Sequence, residues 1–297
     1  MIIFKEPQLS DKQWVDELIK DSKVLGCEYT FGNIFCWYEA YKSKLARIKD
    51  FMVLQNISDR GVFYSFPIGK GDIYEAIELL RKDATEHGSV LKFFNADPGM
   101  IKILNKKYKN EFTAESRRER FDYIYNSENL IELKGKKYHS KRNFINRFKK
   151  ENTNWCYEDI TDENILECRK MYSKWRNLEI NQEKDQDNEE KCALKKALYN
   201  YNELGLKGGL IRSNEKVIAF TIGEELTKEI FVIHFEKADA RTIGAYPIIN
   251  NEFAKAKLSS YKYINREEDI GEEGLRKSKL SYNPQILLEK SIIMFKD

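Results

Sequence analysis

The sequence predicts an α+β protein of two fused units with one plan, each a mixed, mostly antiparallel sheet flanked by helices. Three observations predict it. The chain has 297 residues, and at roughly 100 to 200 residues per domain that length favours two domains. Hydrophobic residues make up 41% and aromatics 13%, enough to fill sizeable cores, while 33% charged residues cover a soluble surface and exclude wholesale disorder. One order of helices and strands runs along the first half and again along the second, as a repeat of elements rather than of residue identity. The boundary is expected between Asn126 and Gly135, giving units 1–130 and 131–297.

Ser10 with Gln13 three residues on reads as a capping pair, opening a helix to Lys20 with Trp14, Leu18 and Ile19 on one face. A second helix is expected over Asn33 to Lys44. The β-branched runs Phe51 to Ile57 and Gly61 to Pro67 pair across the Ser58–Gly61 turn. A helix over Ile73 to Glu86, a strand at Val90 to Asn95, a helix opened by Pro98 to Lys107 and a strand at Phe121 to Tyr125 complete the first half. In the second half a strand at Trp155 to Asp159 leads into helices over Asp162 to Asn177 and Glu189 to Leu204. Strands follow at Leu206 to Ser213, Lys216 to Glu224 and Glu229 to Phe235, then a helix at Ala245 to Leu258, a strand at Tyr261 to Asn265, a helix near Glu272 to Lys279 and a strand at Ile286 to Met294. The polar run Gln182 to Lys191 between two helices reads as a solvated loop or a lid. Helix pair, antiparallel meander, then strand-helix-strand is the order of the GCN5-related N-acetyltransferase (GNAT) fold, and its recurrence suggests a tandem.

Lys plus Arg at 51 against Asp plus Glu at 48 leaves +3, so any field for a polyanion must be local. No stretch approaches the ~18 apolar residues that span a bilayer, and Met1 to Lys12 has no secretory apolar run, so a cytoplasmic protein without an integral membrane segment is expected. Five scattered cysteines (Cys27, Cys36, Cys156, Cys168, Cys192) and three histidines (His87, His139, His234) fit reduced thiols and no metal.

Three segments offer chemistry. From Lys134 to Lys150 there are eight basic residues and no acidic one, and with that segment helical Phe144, Ile145 and Phe148 would dock while cations face out. The strand ending at His234, Glu236 and Lys237 runs into Arg241, Gly244, Ala245 and Tyr246, where a glycine at a helix N-terminus is a ready phosphate site. In the acetyltransferase loop a small residue follows one place after that of Ala245, and Tyr246 stands there instead. His234 and Glu236 alternate with Phe235 and share one sheet face, so either could take a proton from an attacking amine. Asn265 to Pro284 carries nine charged residues around Gly271 and Gly274, with Glu267, Glu268 and Asp269 suited to a cationic amine and Arg276, Lys277 and Lys279 to a phosphate or carboxylate.

Gly135–Phe148 (GKKYHSKRNFINRF) and Asn265–Tyr282 (NREEDIGEEGLRKSKLSY) resemble the two signatures of a bacterial family similar to the C-terminal domain of phosphatidylglycerol lysyltransferase. Glu28-Tyr-Thr-Phe-Gly-Asn33, Arg120-Phe-Asp-Tyr-Ile-Tyr125, His234–Asp239 and Gly244–Tyr246 support the resemblance, which covers nearly the whole chain. It implies two fused acetyltransferase-like domains, an arrangement shared with Fem-type aminoacyltransferases that use aminoacyl-tRNA.

The expected activity is transfer of an acyl group from acyl-coenzyme A or aminoacyl-tRNA to an amine or hydroxyl of a small-molecule or peptide acceptor, by direct attack. Glu236, His234 and Lys237 are the candidate catalytic set. Arg241, Gly244, Ala245 and Tyr246 would hold donor phosphate, extended by Lys136, Lys137, His139 and Arg142. Asn265, Glu267, Glu268 and Arg276 would orient the acceptor. A non-catalytic binder of tRNA or another polyanion, and an ordinary acetyl-coenzyme A N-acetyltransferase, are the alternatives on the same fold.

Overall fold

The computed structural model describes residues 2–178 and 185–296. Helix α1 (Lys12–Ile19) starts one turn after Gln8, whose backbone N–H donates to Asp11 at 2.9 Å, so Asp11 caps the entry rather than Ser10. Helix α2 (Phe31–Tyr41) opens at Thr30, whose hydroxyl accepts from the Asn33 N–H at 3.3 Å, and ends at Lys42 with a left-handed φ of 49°. The chain then turns straight into a strand that the sequence did not suggest.

The first sheet begins with β1 (Ser43–Ile48), β2 (Phe51–Ser58), β3 (Gly61–Tyr64) and the short β4 (Ile68–Gly69). Helix α3 (Ile73–Glu86) is capped by Asp72 and buries Ile77, Leu80 and Ala84, the 3.6-residue stripe its sequence carries. Strand β5 (Lys92–Ala96), helix α4 (Pro98–Lys107) and strand β6 (Phe112–Ser116) follow. The second sheet takes β7 (Asp122–Asn126), then, after α5 (Ser127–Glu132) and α6 (His139–Glu151), β8 (Trp155–Asp159). Helices α7 (Ile165–Leu178) and α8 (Asp185–Tyr199) precede β9 (Lys207–Ser213), β10 (Lys216–Thr227) and β11 (Ile230–Ala238). The chain closes with α9 (Ala245–Lys257), β12 (Tyr263–Asn265), α10 (Glu273–Leu280), β13 (Ile286–Leu288) and β14 (Ser291–Phe295). Of the polar run Gln182 to Lys191, residues 182–184 lie outside the described residues, and from Asp185 the run is helical.

The strand order is β1-β2-β3-β5-β14-β6 in one sheet and β13-β7-β12-β11-β10-β9-β8 in the other. Each sheet is antiparallel but for one parallel contact, β3 with β5 and β11 with β12. The sheets do not divide the chain at residue 130. Strand β7 pairs with β12 and β13, while the C-terminal β14 returns to lie between β5 and β6. A single large core runs through both halves, from Val15 and Phe31 to Leu194, Phe220 and Phe235, because α2 packs on α8 and the face of α2 continues into the second sheet. The strand expected over Ile286 to Met294 is broken by Glu289 and Lys290, where the chain leaves one sheet for the other. Among the described residues no helix is long and apolar enough to cross a membrane.

Candidate active site

Between the two sheets lies a cleft of about 1410 Å³. Its inner wall is built where β11 misses a step. Ile222 pairs with Phe235 and Gly223 with Ile233, so His234 is the unpaired residue of a β-bulge. Gly223 is required there because a Cβ would sit 2.0 Å from the Val232 carbonyl oxygen. The bulge aims His234 at two carboxylates, with Nδ1 2.8 Å from Glu267 and Nε2 2.9 Å from Glu224. Burial opposes the charge on His234, yet its bonds to Glu224 and Glu267 outweigh burial and raise its pKa to about 9. Both ring nitrogens therefore donate, and at neutral pH the ring is an imidazolium with no lone pair for a substrate proton. Burial pushes the Glu267 carboxyl up, partly offset by the hydrogen bond from His234.

The N-terminus of α2 closes over this group. The Gly32 N–H donates to Glu224 at 2.7 Å, and the Asn33 amide donates to Glu267 at 3.3 Å. A Cβ at Gly32 would lie 2.4 Å from the Glu224 carboxylate, so only glycine lets that backbone approach. Carboxylates at a helix N-terminus meet the positive end of its dipole.

Deeper in, Lys290 is 2% exposed and places its ammonium 2.7 Å from both Asp122 and Glu28. Burial opposes its charge, but Asp122, Cys27 and Glu28 hold its pKa well above the ordinary value. Asp122 accepts three further bonds, from the Cys27 N–H at 2.9 Å, the Cys27 thiol at 3.5 Å and the Asn265 amide at 2.8 Å. Cys27, Asp122 and Glu268 bring possible ligand atoms within 4.8 Å of one another, and the Lys290 ammonium already supplies the cation that Asp122 needs. Glu28 faces the cleft, and burial raises its pKa to about 7 despite Lys290. Its Oε1 takes no hydrogen bond.

The predicted residues divide. His234, Glu236, Lys237, Tyr246, Glu267 and Glu268 all line the cleft. Glu236 is not free to act as a base, because Arg266 donates to one of its oxygens at 2.8 Å and Asn250 to the other at 3.1 Å. Arg266 is in turn laid over the Tyr282 ring at 4.9 Å. Lys237 is paired with Glu190 at 2.8 Å. Asn265 is buried and holds Asp122 and the Leu25 carbonyl, so it shapes the wall instead of touching an acceptor. Arg276 grips the buried Asp269 at 2.8 Å, which holds that carboxyl well below the carboxylate range against burial, and it fixes the loop after β12.

At the predicted donor site α6 packs against the turn that opens α9. Gly244 has a left-handed φ of 84°, and a Cβ there would lie 2.4 Å from the Phe144 carbonyl oxygen and 2.9 Å from Phe148, so α6 covers the N-terminus of α9. The Ala245 N–H donates to the Thr242 carbonyl and Pro247 has no N–H, which takes two positions of the first turn out of anion binding. Arg241 is exposed and paired with Asp239. Lys136, Lys137, His139 and Arg142 lie away from the cleft lining. Arg142 donates to the Leu133 and Gly135 carbonyls, Lys137 lies 5.1 Å from the Tyr138 ring centroid, and His139 meets Asn143.

Sequence reading missed Glu224 and Lys290, and noticed Glu28 and Asp122 only within motifs. Each of Glu28, Glu224 and Lys290 is a charge set in an apolar run, and a charge in a run that must be buried needs a partner. That signal marks the residues without naming the partners, which lie up to 262 positions away.

The chain folds as two fused GNAT-like units with a charged cleft at their junction, a fold it shares with FemX at a TM-score of 0.63 and 6% identity. The chain belongs to the phosphatidylglycerol lysyltransferase C-terminal family, whose pattern matches residues 20–294. Among solved structures it is similar to a conserved protein of unknown function from Bacteroides thetaiotaomicron, at 36% identity over 100% of both chains with a TM-score of 0.95. L-PGS from Bacillus licheniformis shares the fold at a TM-score of 0.70 and 14% identity, over 100% of this chain and 95% of that one. An uncharacterised protein of Mycoplasmoides gallisepticum is 25% identical over 197 residues, 65% of this chain, and the match spans 61% of that relative.

Proposed function

We propose that this protein is an aminoacyltransferase that takes the aminoacyl group of a charged tRNA and passes it to an amine or hydroxyl acceptor held in the cleft. The observation that carries the choice of donor is the covered N-terminus of α9. A coenzyme A pyrophosphate at that position would need backbone N–H groups, and there the Ala245 N–H is already given to the Thr242 carbonyl, Pro247 has none, and α6 packs against Gly244. Family membership supports the aminoacyl reading, and a cytoplasmic location, where charged tRNA is found, goes with it.

In this reading the acceptor atom attacks the ester carbonyl directly and the 3′-oxygen of the tRNA leaves. Glu28 takes the acceptor proton and passes it to the departing 3′-oxygen, since its carboxyl, at about 7, changes charge near neutral pH. His234, with both ring nitrogens bound to Glu224 and Glu267, holds the cleft wall in place beside the reacting atoms and takes no proton from them. Neither residue forms a covalent intermediate.

Calorimetric titration with coenzyme A and, separately, with bulk aminoacyl-tRNA at low and physiological salt tests the donor. Charged tRNA should bind and coenzyme A should not. Saturable coenzyme A binding that survives physiological salt would replace this reading with acyl-coenzyme A transfer.

A further inference from the structure

The cleft has a second wall, formed by one face of the first sheet. Asn56 on β2, Phe94 and Asn95 on β5 and Ile292 on β14 make its floor, all of them partly exposed to the cleft. Three guanidinium groups stand around that floor. Arg117 follows β6 and is fixed by its N–H to the Lys290 carbonyl at 2.9 Å, and Arg120 lies one 3₁₀ turn further on, its N–H bonded to the Arg117 carbonyl at 2.8 Å. Arg60 stands at the opposite rim, in the β2–β3 turn.

These cations differ from the others of the cleft. Lys237, Arg266, Lys279 and Lys290 are committed to Glu190, Glu236, backbone carbonyls and the Asp122–Glu28 pair. Among the described residues, the Arg60 and Arg120 guanidiniums form no hydrogen bond or ion pair. Arg117 spends one nitrogen on Glu115 at 3.1 Å, while its buried Nε has no partner. The Asn56 side-chain oxygen is also buried and unpartnered, and Asn95 holds a left-handed φ of 51° in mid-strand, a strain that proteins concentrate at binding sites. Glu119 lines the same cleft, with its Cβ beside Gly271 in the loop after β12.

We propose that Arg117 and Arg120, with Asn95 two strands away on β5 and Arg60 at the far rim, form an anion site that holds a phosphate group of the acceptor substrate. A planar guanidinium offers paired N–H donors that match phosphate oxygens, which a lysine does not. The acceptor would lie along the first sheet with its phosphate at these arginines and its amine or hydroxyl toward Glu28. The assignment to the acceptor rests on the aminoacyl-transfer reading, while the anion site itself does not.

The test uses inorganic pyrophosphate as the probe, titrated calorimetrically into the intact protein and into an Arg117→Gln/Arg120→Gln variant whose folding is checked by circular dichroism. A Lys136→Gln/Lys137→Gln variant serves as control, and Arg60→Gln alone provides a second, milder change at the opposite rim. Saturable binding that weakens at least tenfold in the Arg117/Arg120 variant, by less in Arg60→Gln and not at all in the control is the expected result. Absence of saturable binding, or equal loss in the Lys136/Lys137 control, overturns the site. Competition with uncharged tRNA separates the two sources of phosphate. If pyrophosphate displaces tRNA and the same variant loses tRNA affinity, the arginines hold the donor backbone and the acceptor assignment falls. Because no charged donor is present, failure here leaves the aminoacyl-transfer reading to its own test.

Discussion

The Lys290 ammonium lies 2.7 Å from an Asp122 oxygen, joining the residue just before the last strand of the first sheet to the first residue of β7 in the second. Both are essentially without solvent, at 2% and 0% exposure of their side chains. The pair sits where the chain crosses from one sheet to the other, so it locks that exchange and sets the floor of the cleft. Lys290→Met should therefore destabilise the fold by about 3–5 kcal/mol, the usual cost of leaving a buried charge unpaired. Urea unfolding at pH 7 checks this, and a loss below about 1 kcal/mol would mean that water reaches Asp122 and Glu28.

Much of the fold could be read from the chain because its helices carry clear caps and stripes. Helices α3 and α4 and strand β8 fall on the residues their patterns predict. Strand β1 was hidden because the preceding helix ends at Lys42 in a left-handed turn without glycine, and β6 because its residues are mostly exposed and lack alternation. The exchange of β7 and β14 leaves no trace in local pattern, since nothing within five residues records which sheet a strand joins. For the same reason the cleft was half legible. His234 and Glu267 were identified, but Asp122 and Lys290 act through partners remote in sequence, and Glu224 joins His234 across a hairpin to the distant Gly32.

The Glu224–His234–Glu267 group predicts a pH dependence of stability. The His234 pKa rises from 6.5 to about 9 on folding, so the folded state holds a proton that the unfolded chain releases. Its stabilisation is fully present below pH 6.5 and is lost as pH rises through 9. Glu28 acts with the same sign at lower pH, because its carboxyl rises from 4.5 to about 7 and folding favours its protonated form. Urea midpoints at pH 6, 8 and 9.5 should fall steadily for the native protein. In His234→Asn the fall between pH 6.5 and 9 should disappear, and an unchanged slope would show that other groups titrate there.

Glu236→Gln separates a positioning role from a catalytic one. Arg266 is buried and has Glu236 as its carboxylate, and its Nη1 lacks a partner already. Removing the charge should cost about 3–5 kcal/mol of stability, a drop in melting temperature that a surface base would not produce. A variant that melts like the native protein while losing transfer would return Glu236 to the chemistry.

Gly244 carries the last prediction, because it decides between donor sites. The residue has a φ of 84°, and a Cβ would lie 2.4 Å from the Phe144 carbonyl. Gly244→Ala must therefore either shift α6 or strain the turn, at about 1–3 kcal/mol. If α9 offered an open phosphate cradle, the same change would act on donor binding first and on stability little. The covered helix end predicts the opposite. Thermal unfolding should move down while the affinity for charged tRNA, measured well below the melting temperature, stays within about twofold. A variant of native stability that no longer binds donor would place the phosphates at Gly244 after all.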